Sequence, residues 1–108
     1  MNYGFYLELL LGAVPNNYVI EDREDFSHCG EPYLLISITD NHKHYVSLFL
    51  DIDKNLINIT FMTDSHDPNR EYAEDYKDLK NISQYKFNEL QAKLKDIICT
   101  EMKTFVNK

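Results

Sequence analysis

Alternation of apolar and polar residues over residues 33–63 constrains the fold of this chain more than any other feature of its sequence. Every second residue of three successive runs is apolar, and two short polar segments separate the runs. A period of two, carried by β-branched and aromatic residues, is typical of strands that bury one face. The apolar positions are Leu34, Ile36, Ile38, then Val46, Leu48, Leu50, Ile52, then Ile57, Ile59 and Phe61. We therefore predict an antiparallel meander with one apolar face.

The C-terminal part of the chain predicts a helix that covers this apolar face. From about residue 84 to 105, apolar residues recur at helical spacing and lysines occupy the opposite side. The apolar residues are Phe87, Leu90, Leu94, Ile97, Ile98 and Phe105. Because a sheet with one apolar face needs such a cover, we predict an α+β fold, with residues 1–108 forming a single domain.

The segments before the meander are ambiguous. Residues 3–14 fit either a core helix, which Asn2 caps and Gly12 ends, or a strand, and two glycines with a run of leucines favour the helix. Residues 18–20 are short and β-prone, and they offer a possible fourth strand. Residues 21–32 are polar and predict a loop.

A short acidic helix is predicted between the meander and the C-terminal helix. Asp67 can cap its N-terminus and Pro68 can be its first residue, so that it spans about residues 68–79. Helical spacing places four carboxylates on one stripe and two tyrosines on the adjacent stripe. The carboxylates are those of Glu71, Glu74, Asp75 and Asp78, and the tyrosines are Tyr72 and Tyr76.

The negative charge of the chain is concentrated in two segments. The formal net charge is -7, of which residues 21–25 contribute -3 and residues 64–78 contribute -4, while the remaining residues balance. Solubility alone does not require such concentration, and an acidic surface disfavours direct contact with nucleic acid. A basic protein partner is therefore favoured, although solvated surface is the alternative interpretation of both segments.

Other residues with chemical potential do not assemble into a recognisable motif. Cys29 and Cys99 lack a paired spacing and predict reduced thiols in a cytosolic protein. His42 and His44 lack further ligands at a familiar spacing, so we predict no metal and no cofactor. We also predict no catalytic function, because no nucleophile or acid has a partner at a recognisable spacing.

The N-terminal sequence bears on the expected compartment. It carries no lysine or arginine, and Glu8 interrupts its apolar run, which is unlike a signal peptide. No apolar stretch approaches the length that spans a membrane. We therefore expect a cytoplasmic protein with no membrane partner, which is a monomer or a weak homodimer.

In overall character this chain resembles the immunity proteins of bacterial toxin systems, and contact-dependent growth inhibition provides the nearest example. The features that it shares with them are a compact acidic domain, a small antiparallel sheet with helical cover, carboxylates beside tyrosines, and no catalytic motif. The resemblance implies a cytoplasmic inhibitor that binds a cognate toxin domain, often a basic nuclease, and blocks its active site or substrate groove. The expected partner-binding residues are Glu21, Asp22, Glu24, Asp25, Asp64, Asp67, Glu71, Tyr72, Glu74, Asp75, Tyr76 and Asp78.

Three alternatives stay open at the level of sequence. One is a phage-type acidic inhibitor that mimics nucleic acid, which uses the same charge. Another is a small enzyme that uses Cys29 or the histidines. The last is a subunit of a homo-oligomer that assembles through a free sheet edge or through the face that carries Tyr45 and Phe49.

Overall fold

The computed structural model describes residues 3–40, 44–63 and 74–106. The chain has an α+β fold in which one antiparallel sheet has the strand order β1-β2-β3-β4-β5. The elements are α1 (Tyr3–Gly12), β1 (Val19–Asp25), a 3₁₀ turn (Phe26–Cys29), β2 (Tyr33–Thr39), β3 (His44–Asp51), β4 (Leu56–Thr63), β5 (Glu74–Lys80), a second 3₁₀ turn (Ile82–Gln84) and α2 (Phe87–Val106).

The predicted meander is confirmed as strands β2, β3 and β4. Their apolar positions are buried on one face of the sheet, and only Ile52 falls outside a strand, in the turn after β3, where it still packs against the core. The predicted turn at residues 53–55 is also confirmed, and Asn55 adopts a φ of 58° there. Asparagine tolerates this left-handed conformation better than most residues. The other predicted turn, at residues 40–43, lies mostly outside the described residues.

Asn55 also connects this turn to the segment that leads into α2. Its carbonyl oxygen accepts a hydrogen bond from the N–H of Ile82 at 3.2 Å. Its side chain accepts one from the N–H of Ser83 and donates one to the Ser83 hydroxyl, both at 2.8 Å. One residue therefore sets where the chain turns from the sheet toward the second helix.

Both helices pack on the buried face of the sheet: α2 as predicted for the cover, and α1 as the favoured interpretation of residues 3–14. Near the C-terminal end of α1, the side-chain amide of Gln91 donates hydrogen bonds to the carbonyls of Glu8 and Leu9, at 3.2 and 3.3 Å. A side chain at Gly12 would collide with this amide. From α2 the shared core receives Leu90, Leu94, Ile98, Met102 and Phe105.

The sheet has five strands and not the predicted three or four, because a further strand forms at each edge of the meander. At one edge, the predicted loop over residues 21–32 is wrong in its first part. The possible strand at residues 18–20 exists, but it continues to Asp25 as β1. All seven residues of β1 are exposed, so this edge strand carries no apolar alternation. Charged side chains are a common means of protecting an edge strand from pairing with another chain.

The predicted acidic helix over residues 68–79 is also wrong. Residues 74–80 form β5, which pairs with β4 at the other edge of the sheet. Its predicted start, at Asp67 and Pro68, lies outside the described residues. The expected stripe of carboxylates does not form, because Asp75 and its neighbours Glu74 and Tyr76 point to opposite faces of the strand.

Candidate docking surface

The face of the sheet turned away from α1 and α2, which we call the open face, carries the residues that alternate with the core. Residues paired across antiparallel strands share a face, so the register arranges these side chains in rows. Three rows cross the whole sheet: Glu24, Leu35, Phe49, Asn58 and Asp78; Asp22, Ser37, Ser47, Thr60 and Tyr76; and Val19, Thr39, Tyr45, Met62 and Glu74.

Carboxylates stand at both ends of these rows. Asp22 and Glu24 lie on β1, and Glu74 and Asp78 lie on β5. Four steps between neighbouring strands separate the two edges, which corresponds to about 19 Å. The three rows extend over about 13 Å along the strands. The acidic groups therefore border a platform of roughly these dimensions.

Two basic residues of the edge strands point to the other side, and a third, Lys80, lies on the open side beyond the three rows. Arg23 on β1 and Lys77 on β5 pair with core positions of β2 and β4, and so do their acidic neighbours Asp25 and Asp75. On the helix side, the two edge strands thus carry equal numbers of acids and bases. On the open face, the three rows carry four acids and no base. Because successive side chains of a strand point to opposite faces, acids and bases that are neighbours in sequence are separated. The prediction from sequence treated these segments as a loop and a helix and did not consider this alternation.

The middle of the open face is half-buried and mixed in chemistry. Leu35, Phe49, Tyr45 and Met62 provide apolar surface, and the middle row provides hydroxyl groups. At one end, the rings of Phe49 and Tyr33 lie 5.3 Å apart between centroids. Aromatic and apolar side chains of this kind are common in the centre of protein interfaces.

A chain of hydrogen bonds orients one of the edge carboxylates. The Thr60 hydroxyl donates to the side-chain oxygen of Asn58 at 2.7 Å, and the Asn58 amide donates to Asp78 Oδ1 at 2.8 Å. The Asp78 carboxylate is therefore held toward β4 and the open face. Because its rotamer is already restricted, binding a cation there loses less side-chain entropy.

Tyr76 is the most exposed large apolar side chain among the described residues, with 66% of its surface accessible. It lies on the open face between Glu74 and Asp78, so its ring is flanked by carboxylates. Its backbone N–H donates to the Asp75 side chain at 2.9 Å. Tyrosine in such a position is a typical interface anchor, because its ring is apolar and its hydroxyl can form a hydrogen bond.

Among the predicted site residues, the structure brings five together on the open face: Asp22, Glu24, Glu74, Tyr76 and Asp78. Glu21 lies at the bulge that shifts the register between Ile20 and Asp22. Asp25 and Asp75 point to the helix side. Asp64, Asp67, Glu71 and Tyr72 lie outside the described residues. The prediction missed Asn58 and Thr60, whose only signal was their polar position within the third run of the meander.

The cysteines and histidines do not converge on a second site. Cys29 is exposed and Cys99 is half-buried, and both are free thiols. His44 Nδ1 lies 3.7 Å from Asp40 Oδ2, while His42 lies outside the described residues. Within residues 3–40, 44–63 and 74–106, no three His, Cys, Asp or Glu side chains are grouped as a metal site would require.

A concavity of about 420 Å³ lies where the segment before β1 and the residue after β2 meet α2, and it is lined in part by Tyr18, Asp40, Cys99 and Lys103. Burial, with smaller contributions from the charges of Asp40 and Cys99, raises the pKa of Tyr18 to about 12. The phenol is therefore neutral at physiological pH.

None of the described helices is long and apolar enough to cross a membrane. Comparisons of the chain with protein-family models, with curated proteins and with solved structures found no match.

Proposed function

We propose that this protein is a cytoplasmic immunity protein, which binds a basic cognate toxin domain such as a nuclease and covers its active site or substrate groove. The observation that carries this proposal is the segregation of charge on the two edge strands. Within the three rows, the acids of β1 and β5 that face the open side are Asp22, Glu24, Glu74 and Asp78, whereas Arg23 and Lys77 lie on the helix side and Lys80 lies beyond the rows.

The arrangement supports capture of a cation-rich surface in two ways. A concentrated negative potential speeds the diffusional encounter with a basic partner, and it repels nucleic acid and other acidic surfaces. After encounter, the half-buried centre of the open face offers apolar surface for close contact. Tyr76 supplies an exposed aromatic ring that can enter a cleft of the partner.

Neutralisation follows from competition for the same basic residues. A nuclease binds phosphates through lysines and arginines, and carboxylates held at the edges of the open face attract those side chains. Asp78 is prepared for this role, since Asn58 already orients it. A toxin whose substrate groove is occupied by this face cannot bind its substrate.

The test starts with the partner that co-purifies from the native host and is identified by mass spectrometry. The double variant Glu74→Lys with Asp78→Lys reverses two open-face charges on β5. We expect its affinity for the purified toxin to fall by at least about 100-fold, because two attractive contacts become repulsive. Protection of cells from the toxin should be lost with it.

The matched control reverses two exposed acids on α2, Glu89→Lys with Asp96→Lys, which changes the net charge by the same amount. It should keep protection and most of the affinity. Circular dichroism and thermal unfolding verify that both variants fold. If the β5 variant still protects cells at unchanged affinity, the open face is not the inhibitory surface.

A further inference from the structure

We infer that the partner element which occupies the open face is a basic amphipathic α-helix, lying along the strands between β1 and β5. This inference rests on the proposed function, because it specifies how the basic partner is held. It is carried by the dimensions of the platform, by the order of chemical groups across it, and by the protection of both sheet edges.

The dimensions suit one helix. The carboxylates of β1 and β5 stand about 19 Å apart, whereas an α-helix with its side chains is about 10–12 Å wide. A helix along the middle strand thus leaves a few ångströms on each side, which long basic side chains can span. The three rows extend about 13 Å along the strands, which about 9 helical residues cover, and the strands of seven or eight residues extend about 25 Å, which about 16 helical residues cover.

The order of chemical groups across the face matches an amphipathic helix. Within the three rows, apolar side chains such as Leu35, Phe49 and Met62 lie on the inner strands, and carboxylates lie only on the outer ones. A helix with an apolar stripe and arginines or lysines along both flanks is complementary to this order. Because charges about 19 Å apart are largely screened at physiological salt, each edge needs its own basic flank.

Addition of an extended partner strand to a sheet edge is less favourable. At β5, the Asp75 side chain already accepts the backbone N–H of Tyr76. At β1, the register shift after Ile20 and a run of charged residues interrupt a regular edge. The open face is thus the more accessible surface, and the helix side of the sheet is already occupied by α1 and α2.

A second copy of this chain is a poor occupant of the same surface. If two open faces packed together, the four carboxylates of one copy would face the four of the other. The repulsion between these like charges is unfavourable when no basic side chain lies between them. The same charge disfavours anionic lipid and nucleic acid. A cationic partner element is the occupant that this surface selects.

The experiment uses the full chain and two synthetic peptides of about 18 residues, enough to cover the platform. The first peptide has leucines at helical spacing with arginines along both flanks, and the second has the same sequence with two central residues replaced by proline, which prevents the helix. Titration of isotopically labelled protein by NMR locates the contact, and calorimetry measures the affinity.

We expect the first peptide to bind at least about tenfold more tightly than the proline peptide, and to become helical on binding. Amide signals of the middle row, at Ser37, Ser47 and Thr60, should shift. Neutralising the four edge acids by Asp22→Asn, Glu24→Gln, Glu74→Gln and Asp78→Asn should weaken binding by at least about tenfold.

The control variant neutralises four exposed acids elsewhere, by Glu8→Gln, Asp53→Asn, Glu89→Gln and Asp96→Asn. It should weaken binding by less than about threefold, because only long-range attraction is reduced. Equal binding of both peptides, no binding of either, or signal shifts confined to the edge strands would each overturn the helix inference.

These outcomes separate the inference from the proposed function. If the native toxin binds the open face through a loop or a strand, the helix inference fails and the immunity function stands. If the variant Glu74→Lys with Asp78→Lys still protects cells, the proposed inhibitory surface fails, whatever the peptides do.

Discussion

The two faces of the sheet are built from the same strands but have opposite compositions. On β3, Val46, Leu48 and Leu50 are completely buried against the helices, while Tyr45 and Phe49 on the other side are half-buried. The edge strands extend this contrast to charge within the three rows, because Arg23 and Lys77 lie on the helix side and only acids stand at the ends of the rows, while Lys80 lies beyond them. We infer that one face stabilises the fold, and that the other is available for recognition.

The largest expected change in stability comes from β3, where two adjacent residues can be compared. Leu48→Ala should lower the free energy of unfolding by about 2–5 kcal/mol, because it leaves a cavity in the core. Phe49→Ala should cost about 1 kcal/mol, because the ring is only half-buried on the open face. Chemical denaturation measures both values. Equal losses would mean that the open face is also structural, and the division between the two faces would break down.

The next effect concerns Tyr18, which is only 8% exposed and belongs to the core on the helix side. Its pKa is raised from 10.0 to about 12, so the folded state favours the neutral phenol. The stabilisation is complete below about pH 10 and is lost as the pH rises through about 12, by up to about 2–3 kcal/mol.

Denaturation curves at pH 8 and at about pH 11.5 for the native chain and for Tyr18→Phe check this prediction. The native chain should lose more stability than the variant over this interval, since phenylalanine has no proton to lose. An identical pH dependence in both proteins would show that Tyr18 ionises as readily in the folded state as in the unfolded chain.

The smallest expected loss of stability comes from replacing lysines of β5, two of which can be compared. Lys77 reaches Glu101 of α2 on the helix side, with Nζ and Oε1 2.8 Å apart. Lys80 lies on the opposite face of the strand, beyond the three rows of the open face. Because Lys77 is half-exposed, Lys77→Met should cost about 0.2–1 kcal/mol, and less at high salt. Lys80→Met should be close to neutral, and a larger loss for Lys80 would reverse the expected order.

The inner strands and α2 could be predicted from sequence because burial imposes a period on their residues. Strands β2, β3 and β4 bury every second side chain, and α2 buries one stripe. The edge strands lack this signal, because in β1 no residue is buried and in β5 only Leu79 is. Exposed positions of this kind accept charged residues. The charged residues of β1 were therefore interpreted as a loop, and those of β5 as a helix.

The candidate site shows the same limit. The concentration of acids was visible in the sequence, but a spacing of four residues, as between Glu74 and Asp78, places side chains on one face of a helix and also on one face of a strand. Only the register shows that Asp22 and Asp78 border one face. Likewise, the role of Asn58 in orienting Asp78 depends on a pairing between strands that lie 20 residues apart in sequence.

The strand order has a consequence for how the molecule forms. Since each strand pairs with its neighbour along the chain, the sheet contains mainly local contacts, and proteins of this kind tend to fold quickly. The helix α2 follows all five strands, so during synthesis by the ribosome the hairpins can pair before it emerges. Until then the part of the apolar face that α2 covers is exposed to water, which favours aggregation of the nascent chain at that stage.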